Sequence, residues 1–265
     1  MTTSRRGAPH HNRFACAALA LTIAVTAAAA QAQQPAKRVL YVTTSAGYRH
    51  DVLDLSKDVL KDVGARSGAF TVTSTEDLSV FTRQELQTFA ALIFFTTGEL
   101  PMTDSQKRAF LEFVRGGKGF VGVHSATDTF YDWPEYLALI GGYFNDHPWH
   151  QKVTIDIADR SNAIVAFLAP SLSIADEIYQ ISDFDYRHAH VLLQLDPRSV
   201  DLTLDTVRPR FYGWPLAWTR SYGNGRVFYT ALGHDPAVWR DPRYQQLLSN
   251  AILWVTRRNT SPRGP

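Results

Sequence analysis

Three histidines follow predicted strands of this 265-residue chain, where buried segments give way to polar loops. His124 directly follows one apolar run, His50 closes the loop after the first such run, and His234 follows the last. An imidazole changes charge near neutral pH, so it can serve as a general acid or base. Three neutral imidazoles are also a ligand set that zinc accepts. If the strands are parallel, their carboxyl ends meet, and we expect the three rings to share one site. The alternative is that each histidine only hydrogen-bonds within its own loop.

Carboxylates near the same predicted edge are candidates to assist these histidines. Glu99 follows the third strand, Asp128 follows the turn that holds His124, and Glu177 lies beside Asp176 at the start of a later strand. A carboxylate can orient an imidazole or act as an acid or base itself, although many loop carboxylates are only solvated. The candidate catalytic residues are His124, His234, His50, Glu99, Asp128 and Glu177.

The segment His147-Pro-Trp-His150 places two further histidines three residues apart. Pro148 indicates a loop here rather than a helix. We expect this loop to line the rim of the site, and a metal-binding pair is the alternative. His188 and His190 alternate along a predicted strand and are interpreted as structural. An arginine suits an anion or a sugar hydroxyl, and aromatic rings offer sugars a stacking face. The candidate substrate-binding residues are Arg49, Ser125, His147, Trp149 and His150, with Trp133, Trp214 and Tyr212 as further aromatic candidates.

Short apolar strands alternate with helical patterns through the first half of the chain. The predicted strands lie at residues 38–43, 70–73, 91–95 and 119–123, and the predicted helices at 51–63, 82–89 and 103–115. This alternation predicts a parallel sheet with helices on both sides. It also brings the loops at 44–50, 96–101 and 124–130 to one rim. Gly64 is expected to end the first helix, and Pro134 to begin a helix after the His124 turn.

The second half is less regular. Strands are predicted at residues 152–157, 176–180 and 190–195, a hairpin around Tyr222-Gly-Asn-Gly225, and a closing helix at 244–255. A glycine-rich turn between two apolar runs is typical of a hairpin. No internal repeat or linker divides this region, so we expect one domain with an elaborated second half.

Composition and the N-terminal segment restrict the classes of function. The formal charge is +2 and no long basic run occurs, which argues against nucleic-acid binding. Arg5 and Arg6 precede an apolar run at residues 14–30, and an Ala-x-Ala site ends at Ala32. This pattern predicts a signal peptide at residues 1–32 and a periplasmic or secreted protein with no membrane attachment after cleavage. An uncleaved N-terminal anchor is the alternative.

Cys16, the only cysteine, lies inside the predicted signal peptide. The mature chain would therefore contain no cysteine. This excludes disulfides, thiolate nucleophiles and cysteine-bound metals from the mature protein.

Several separated motifs occur together in this chain. They are Gly47-Tyr-Arg-His50, Gly117-Lys-Gly-Phe-Val-Gly-Val-His-Ser-Ala-Thr-Asp128, Gly141-Gly-Tyr-Phe144, His147-Pro-Trp-His150, Asp176-Glu-Ile-Tyr179 and Gly225-Arg-Val-Phe-Tyr-Thr-Ala-Leu-Gly-His234. In this order they resemble the trehalose-utilisation (ThuA-like) family. The resemblance covers residues 37–257 and leaves a short tail at 258–265.

The resemblance implies an α/β fold, a flavodoxin-like three-layer sandwich with a mainly parallel central sheet. That fold is similar to class I glutamine amidotransferases, in which the turn after the central strand carries a nucleophilic cysteine. Here His124 stands in that turn, and His234 looks like the later histidine of that site. Because a glutaminase needs the thiolate, the resemblance does not extend to glutaminase activity.

The family name implies carbohydrate metabolism, with trehalose-like disaccharides or their 3-keto derivatives as small-molecule partners. We expect an exported hydrolase, lyase or isomerase that relies on histidine, with a divalent metal such as zinc as an open option. His50, His124 and His234 would be the ligands of that metal. The alternative is a non-catalytic carbohydrate-binding accessory protein.

Overall fold

The computed structural model describes residues 1–3, 35–210 and 212–257. Contacts divide the chain into two compact units, Met1–Gln34 and Pro35–Pro265, and every element below belongs to the second. Apart from its first three residues, the predicted signal peptide lies outside the described residues, as does the tail at 258–265. Within the described ranges, no helix is long and apolar enough to cross a membrane.

Strands and helices alternate through the first half, as the sequence predicts. The strands are β1 (Lys37–Val42), β2 (Phe70–Thr75), β3 (Ala91–Phe94), β4 (Gly119–Val123), β5 (Tyr143–Ile157), β6 (Ser171–Ser182), β7 (His190–Leu195), β8 (Pro215–Tyr222) and β9 (Gly225–Thr230). The helices are α1 (Leu53–Ser67), α2 (Arg83–Leu86), α3 (Asp104–Arg115), α4 (Pro134–Ile140), α5 (Pro236–Arg240) and α6 (Pro242–Val255).

In the described part of the chain these strands form one sheet in the order β2-β1-β3-β4-β9-β8-β7-β5-β6. The first five strands of that order pair in parallel. The remaining pairings, from β9–β8 to β5–β6, are antiparallel. The sheet is therefore mixed, because the second half of the chain adds an antiparallel extension to the parallel part.

Helices cover both faces of the parallel part. Gly119 packs against α6, and a Cβ atom at this position would lie 2.7 Å from Val255 Cγ2. The next side chain, Phe120, contacts Phe110 of α3 with the ring centroids 5.4 Å apart. Successive side chains of a strand point to opposite faces, so α3 and α6 lie on opposite sides of β4. This burial fixes the strand that leads into the turn at His124.

The first helix extends beyond its predicted end at Gly64. It continues to Ser67 and is capped by Gly68 in the left-handed conformation, with φ of 63°. Gly64 is needed for another reason, since a Cβ there would lie 2.7 Å from the carbonyl oxygen of Phe70. The glycine therefore marks a close approach of α1 to β2, not a helix end.

The prediction of a loop at residues 147–150 was wrong. These residues lie inside β5, which pairs with β6 and places His150 opposite Glu177. The pairing register shifts between Asp146 and Trp149, so the strand is irregular at Pro148. Such an irregularity accommodates a residue that cannot donate a backbone hydrogen bond. Both histidines are thus carried by a strand.

Candidate functional site

Three loops lie side by side at the carboxyl ends of the parallel strands. Ser45 pairs with Thr97, and Gly98 pairs with Thr129, in isolated parallel bridges. These contacts join the loops after β1, β3 and β4 in the order of their strands. The prediction that these loops share one rim is confirmed.

His50, His124 and His234 meet at this rim. The ring centroids of His50 and His124 are 4.9 Å apart, and each of these rings lies 5.2 Å from that of His234. His50 and His124 are buried, while the His234 side chain keeps 22% of its surface exposed. The strand order therefore brings together three residues that are far apart in the chain, as expected, while their chemical roles stay predictions.

The backbone at His124 has an unusual conformation that several hydrogen bonds maintain. Its φ of 46° is in the left-handed region, which non-glycine residues seldom adopt. The hydroxyl of Tyr229 donates to the His124 carbonyl over 2.8 Å, and Thr127 donates to the same oxygen over 3.4 Å. This sharp turn after β4 points the imidazole into the rim.

The tautomer of His124 follows from one hydrogen bond. Its Nδ1 lies 2.7 Å from the carbonyl oxygen of Ala231. A carbonyl oxygen only accepts, so Nδ1 carries a proton; Nε2 is therefore the nitrogen that has the lone pair when the ring is neutral and that donates when the ring is an imidazolium. Around Nε2 lie the Tyr179 hydroxyl at 2.9 Å, His234 Nδ1 at 3.2 Å and Glu177 Oε2 at 3.5 Å.

Glu177 is the carboxylate at the centre of the cluster. Its Oε2 lies 3.1 Å from His234 Nδ1 in addition to its contact with His124, and its Oε1 lies 3.3 Å from His147 Nδ1. Burial acts to raise the pKa of Glu177, but hydrogen bonds and attraction from His124 and His234 outweigh it and lower the pKa. The carboxylate is therefore ionised and links two inner rings to one outer ring.

The surroundings shift the pKa values of His234 and His50 in opposite directions. The hydrogen bond with Glu177 raises the pKa of His234 against the effect of burial. Burial, together with repulsion from His124 and His234, lowers the pKa of His50 to about 3. At neutral pH His50 is therefore a neutral ring, whereas His234 is biased toward the cation.

His147 and His150 form the outer part of the cluster, and each pairs with a carboxylate. Both side chains are half exposed, at 50%. His147 Nδ1 faces Glu177 and its ring stacks on Phe144, while His150 Nε2 lies 3.0 Å from both oxygens of Asp235. These two rings are the most exposed of the cluster, ahead of His234 at 22%.

Asp176 fixes the strand that carries Glu177 to the loop that carries His234. Its two carboxylate oxygens accept from the backbone N–H groups of Gly233, at 2.7 Å, and of Asp235, at 3.0 Å. Burial raises the pKa of Asp176, and the two backbone hydrogen bonds and the attraction of His124 oppose this rise. Asp176 therefore positions both sides of the site without facing the histidines' nitrogen atoms directly.

The other predicted carboxylates do not contact the histidine rings. Glu99 accepts from the backbone N–H of Asp132 over 3.2 Å, and Asp128 accepts from the Tyr131 hydroxyl over 2.7 Å. Asp128 is near enough for attraction from His124 and His147 to affect its pKa, but burial dominates and raises the pKa. Of the three carboxylate candidates, only Glu177 lies within the cluster.

Three of the predicted substrate-binding residues are ion-paired or buried in the structure. Arg49 forms a two-pronged ion pair with Glu76 at 2.9 Å on the surface. Trp149 is buried, with 1% exposure, and donates to the Asp201 carbonyl, so it offers no stacking face. Ser125 is fully buried, and within the described residues its hydroxyl has no hydrogen-bond partner.

Sequence reasoning missed Tyr179 and Asp235. Tyr179 follows Glu177 by two residues in a predicted strand, and alternation puts both on the same face of that strand. Asp235 directly follows His234 at a strand end. The alternation of Tyr179 with Glu177 and the position of Asp235 after His234 were both visible in the sequence. Their place in the site became clear only from the positions of β5 and β6 in the structure.

Within the part of the chain that the structure describes, two sets of side chains bring metal-binding atoms close together. One set is His50, His124 and His234, and the other is His150, Glu177 and His234. In each set the ligand atoms lie within 4.8 Å of one another. Imidazole nitrogen with carboxylate oxygen is a donor set that zinc and other divalent transition metals accept.

The mixed sheet and this cluster define an α/β protein with a histidine–carboxylate site at the carboxyl ends of its parallel strands. A family model described as trehalose utilisation (ThuA) matches residues 38–255. The chain therefore belongs to the ThuA family, which confirms the resemblance found in the sequence and indicates a carbohydrate-related role. No curated protein matches the chain at a significant level.

Solved structures agree with this family assignment. A ThuA-like protein from Bacteroides uniformis is 26% identical, with a TM-score of 0.71 over 83% of this chain and 91% of that chain. A ThuA-like protein from Parabacteroides merdae is 22% identical, with a TM-score of 0.65 over 85% and 92%. A cytoplasmic protein from Salmonella typhimurium is 12% identical, with a TM-score of 0.57 over 84% and 100%. The last two similarities concern the fold alone.

Proposed function

We propose that this protein is an acid–base enzyme of carbohydrate metabolism that acts on a disaccharide or a keto-sugar as a hydrolase, lyase or isomerase. The observation that carries the proposal is the position of Glu177 between outer His147 and the inner pair of His124 and His234, at 3.1 to 3.5 Å. Acid–base groups gathered at the carboxyl edge of a parallel sheet are typical of an active site.

His147 and His150 are the proposed acid–base residues that touch the substrate. Each ring is half exposed, and each is held by a carboxylate, Glu177 or Asp235. A carboxylate at one ring nitrogen orients the imidazole and stabilises the imidazolium that forms when the other nitrogen accepts a proton. Positioned proton transfer of this kind accelerates reactions by about 10²- to 10⁴-fold.

A keto-sugar suits this site because its carbonyl acidifies the adjacent C–H bond. Removal of that proton by an imidazole leads to isomerisation, or to loss of a leaving group on the next carbon. A glycosidic bond can instead be cleaved by water when one residue protonates the leaving oxygen and another activates the water. Both routes use the same pair of outer histidines.

Glutaminase activity is not part of the proposal. We take the fold to be flavodoxin-like and His124 to occupy the turn that holds the cysteine in class I glutamine amidotransferases. The glutaminase mechanism needs that thiolate, and the only cysteine of the sequence, Cys16, lies in the predicted signal peptide.

The non-catalytic alternative receives less support. A carbohydrate-binding surface commonly presents exposed aromatic rings, whereas Trp149 and Trp133 are buried. Exposed Tyr48 and Tyr131 remain at the rim, with Tyr48 packed edge-on against His50. Two tyrosines can position a sugar, but they do not account for the cluster of histidines.

The test is turnover of trehalose and 3-keto-trehalose by the purified full chain, followed by NMR, with calorimetry of the same sugars. We expect turnover of one of these substrates, and a fall in kcat of about 100-fold or more with little change in KM for His147→Gln. Binding of the sugars without turnover would favour the accessory protein. Neither binding nor turnover of any disaccharide or keto-disaccharide would overturn the proposal.

A further inference from the structure

Three donor atoms at the bottom of the cluster outline one face of a metal coordination site. They are His124 Nε2, His234 Nδ1 and Glu177 Oε2, separated by 3.2, 3.1 and 3.5 Å. Ligands of tetrahedral zinc lie at about 2.0 to 2.1 Å from the ion, so two of them are about 3.3 Å apart. The three observed separations scatter around that value.

The tautomer of His124 is the one that a ligand needs. Its Nδ1–H donates to the Ala231 carbonyl, which leaves the Nε2 lone pair to an ion or to the Tyr179 hydroxyl, 2.9 Å away. Histidines that bind a metal through one ring nitrogen commonly donate a hydrogen bond from the other ring nitrogen, because that bond fixes the ring orientation. The Asp176 carboxylate accepts hydrogen bonds from the backbone N–H groups of Gly233 and Asp235. These bonds hold the backbone on both sides of His234.

His50 provides a further donor beside His124 and His234. It is 6% exposed, and one of its ring nitrogens lies within 4.8 Å of donor atoms of both His124 and His234. Across the described ranges, no hydrogen bond to the His50 ring is found. An imidazole without a hydrogen-bond partner among the described residues, beside two convergent imidazoles, is open to a ligand.

We propose that His50, His124, His234 and Glu177 bind one divalent transition-metal ion of the zinc class at the base of the site. The inference rests on the same cluster as the proposed function and deepens it. Because four protein ligands fill a tetrahedral shell, the ion would polarise a substrate oxygen or a water molecule next to the outer histidines only by taking it as a fifth ligand. The site would be buried below His147 and His150, which remain free to transfer protons.

The test uses the full chain without an affinity tag, stripped of metal with a chelator, and titrated with Zn²⁺ in a calorimeter. We expect one saturable site with submicromolar affinity. His234→Gln and Glu177→Gln should each weaken binding by about 100-fold or more, and His50→Ala by about 10- to 100-fold. Loaded with Co²⁺, the parent should show the visible absorption of a low-symmetry site, and His234→Gln should lose it.

His190→Gln is the matched control, because His190 is an exposed histidine that pairs with Asp159 at 2.9 Å away from the cluster. It should bind Zn²⁺ like the parent. Thermal unfolding of each variant identifies any loss of binding that comes from loss of the fold, and the near-isosteric Glu177→Gln keeps the test informative if a histidine variant unfolds.

Two results would overturn the inference. One is the absence of saturable binding to the folded parent, and the other is parent-like binding by folded His234→Gln and Glu177→Gln variants. Turnover is not part of this readout. Turnover of a sugar by a protein that shows no saturable metal binding would overturn this inference and leave the proposed function, whereas metal binding without turnover of any sugar would do the reverse.

Discussion

At the scale of single residues, one carboxylate distinguishes this site from a set of loop histidines. Glu177 uses its two oxygens differently, with Oε1 toward exposed His147 and Oε2 toward buried His124 and His234. The sequence offered Glu99, Asp128 and Glu177 with equal weight. Only the tertiary structure selects among them, because Glu177 comes from a strand outside the parallel part of the sheet.

Arg49, in contrast, was a substrate-binding candidate that the structure places in a surface ion pair, and this leads to a prediction. Its guanidinium is paired with Glu76, so Arg49→Ala should leave kcat and KM at parent values. The free energy of unfolding should fall by less than about 1 kcal/mol, because both side chains are well exposed. Steady-state kinetics and urea unfolding check the two halves of this prediction. A large rise in KM would restore Arg49 as a substrate-binding residue.

Because of this ion pair, the difference in free energy of unfolding between the parent and Arg49→Ala should depend on pH. Hydrogen bonds from Arg49 and Lys57 lower the pKa of Glu76 from 4.5 to about 2. A lowered carboxyl pKa contributes stability above the unfolded-state pKa and loses it as the pH falls toward the folded-state pKa. The difference between the parent and Arg49→Ala should therefore be constant from pH 7 to 5 and narrow below pH 4.5. If the difference in free energy of unfolding instead grew as the pH fell, the ion pair with Glu76 would not be its cause.

At the scale of elements, the site is assembled where two parts of the sheet meet. The loops after β1, β4 and β9 supply the three inner histidines, and β5 and β6 bring Glu177 with the outer pair. The sequence predicted the first group because alternating strands and helices imply parallel order. It named Glu177, His147 and His150 as candidates but could not predict their arrangement, because antiparallel pairing of β5 with β6 across Pro148 depends on long-range contacts that no local pattern records.

Asp176 connects these two parts, and its replacement is a test of that connection. In Asp176→Asn the remaining side-chain oxygen still accepts one backbone hydrogen bond. The side-chain NH2 group, which can only donate, then faces the other backbone N–H, so that hydrogen bond is lost. We expect a loss of about 1 to 3 kcal/mol in the free energy of unfolding. Turnover should fall as well, because Asp235 and its partner His150 would shift.

Urea unfolding and steady-state kinetics check the Asp176 prediction. Asp205→Asn is the control, since Asp205 is exposed and should change the free energy of unfolding by less than about 0.5 kcal/mol. If Asp176→Asn were as stable and as active as this control, the two backbone hydrogen bonds would not position the site.

At the scale of the whole molecule, membership in the ThuA family and the α/β fold both followed from the sequence. The predicted central sheet was mainly parallel with an elaborated second half, and the observed sheet is mixed, since β5 to β8 extend its parallel part beyond β9 with antiparallel pairings. Weak alternation in residues 152–157 and 190–195 predicted strands but not their partners. Register is set by which faces are buried, and that is decided only in the folded chain.

The N-terminal segment carries a separate prediction about where the molecule acts. We propose that the chain is exported and cleaved after Ala32, because a basic start, an apolar run and an Ala-x-Ala site occur in that order. Intact mass spectrometry of the protein from the periplasmic or secreted fraction of a producing cell should give an N-terminus at Gln33. A full-length N-terminus in the membrane fraction would favour the uncleaved anchor.

The most direct measurement of the central claim is kcat/KM of Glu177→Gln compared with that of His190→Gln on the substrate that the parent turns over. Both substitutions remove one charged or polar partner of a histidine–carboxylate pair and preserve side-chain size approximately. We predict a loss of about 100-fold or more for Glu177→Gln and a parent-like value for His190→Gln. Equal values for the parent, Glu177→Gln and His190→Gln would show that the histidine–glutamate cluster is not where the chemistry occurs.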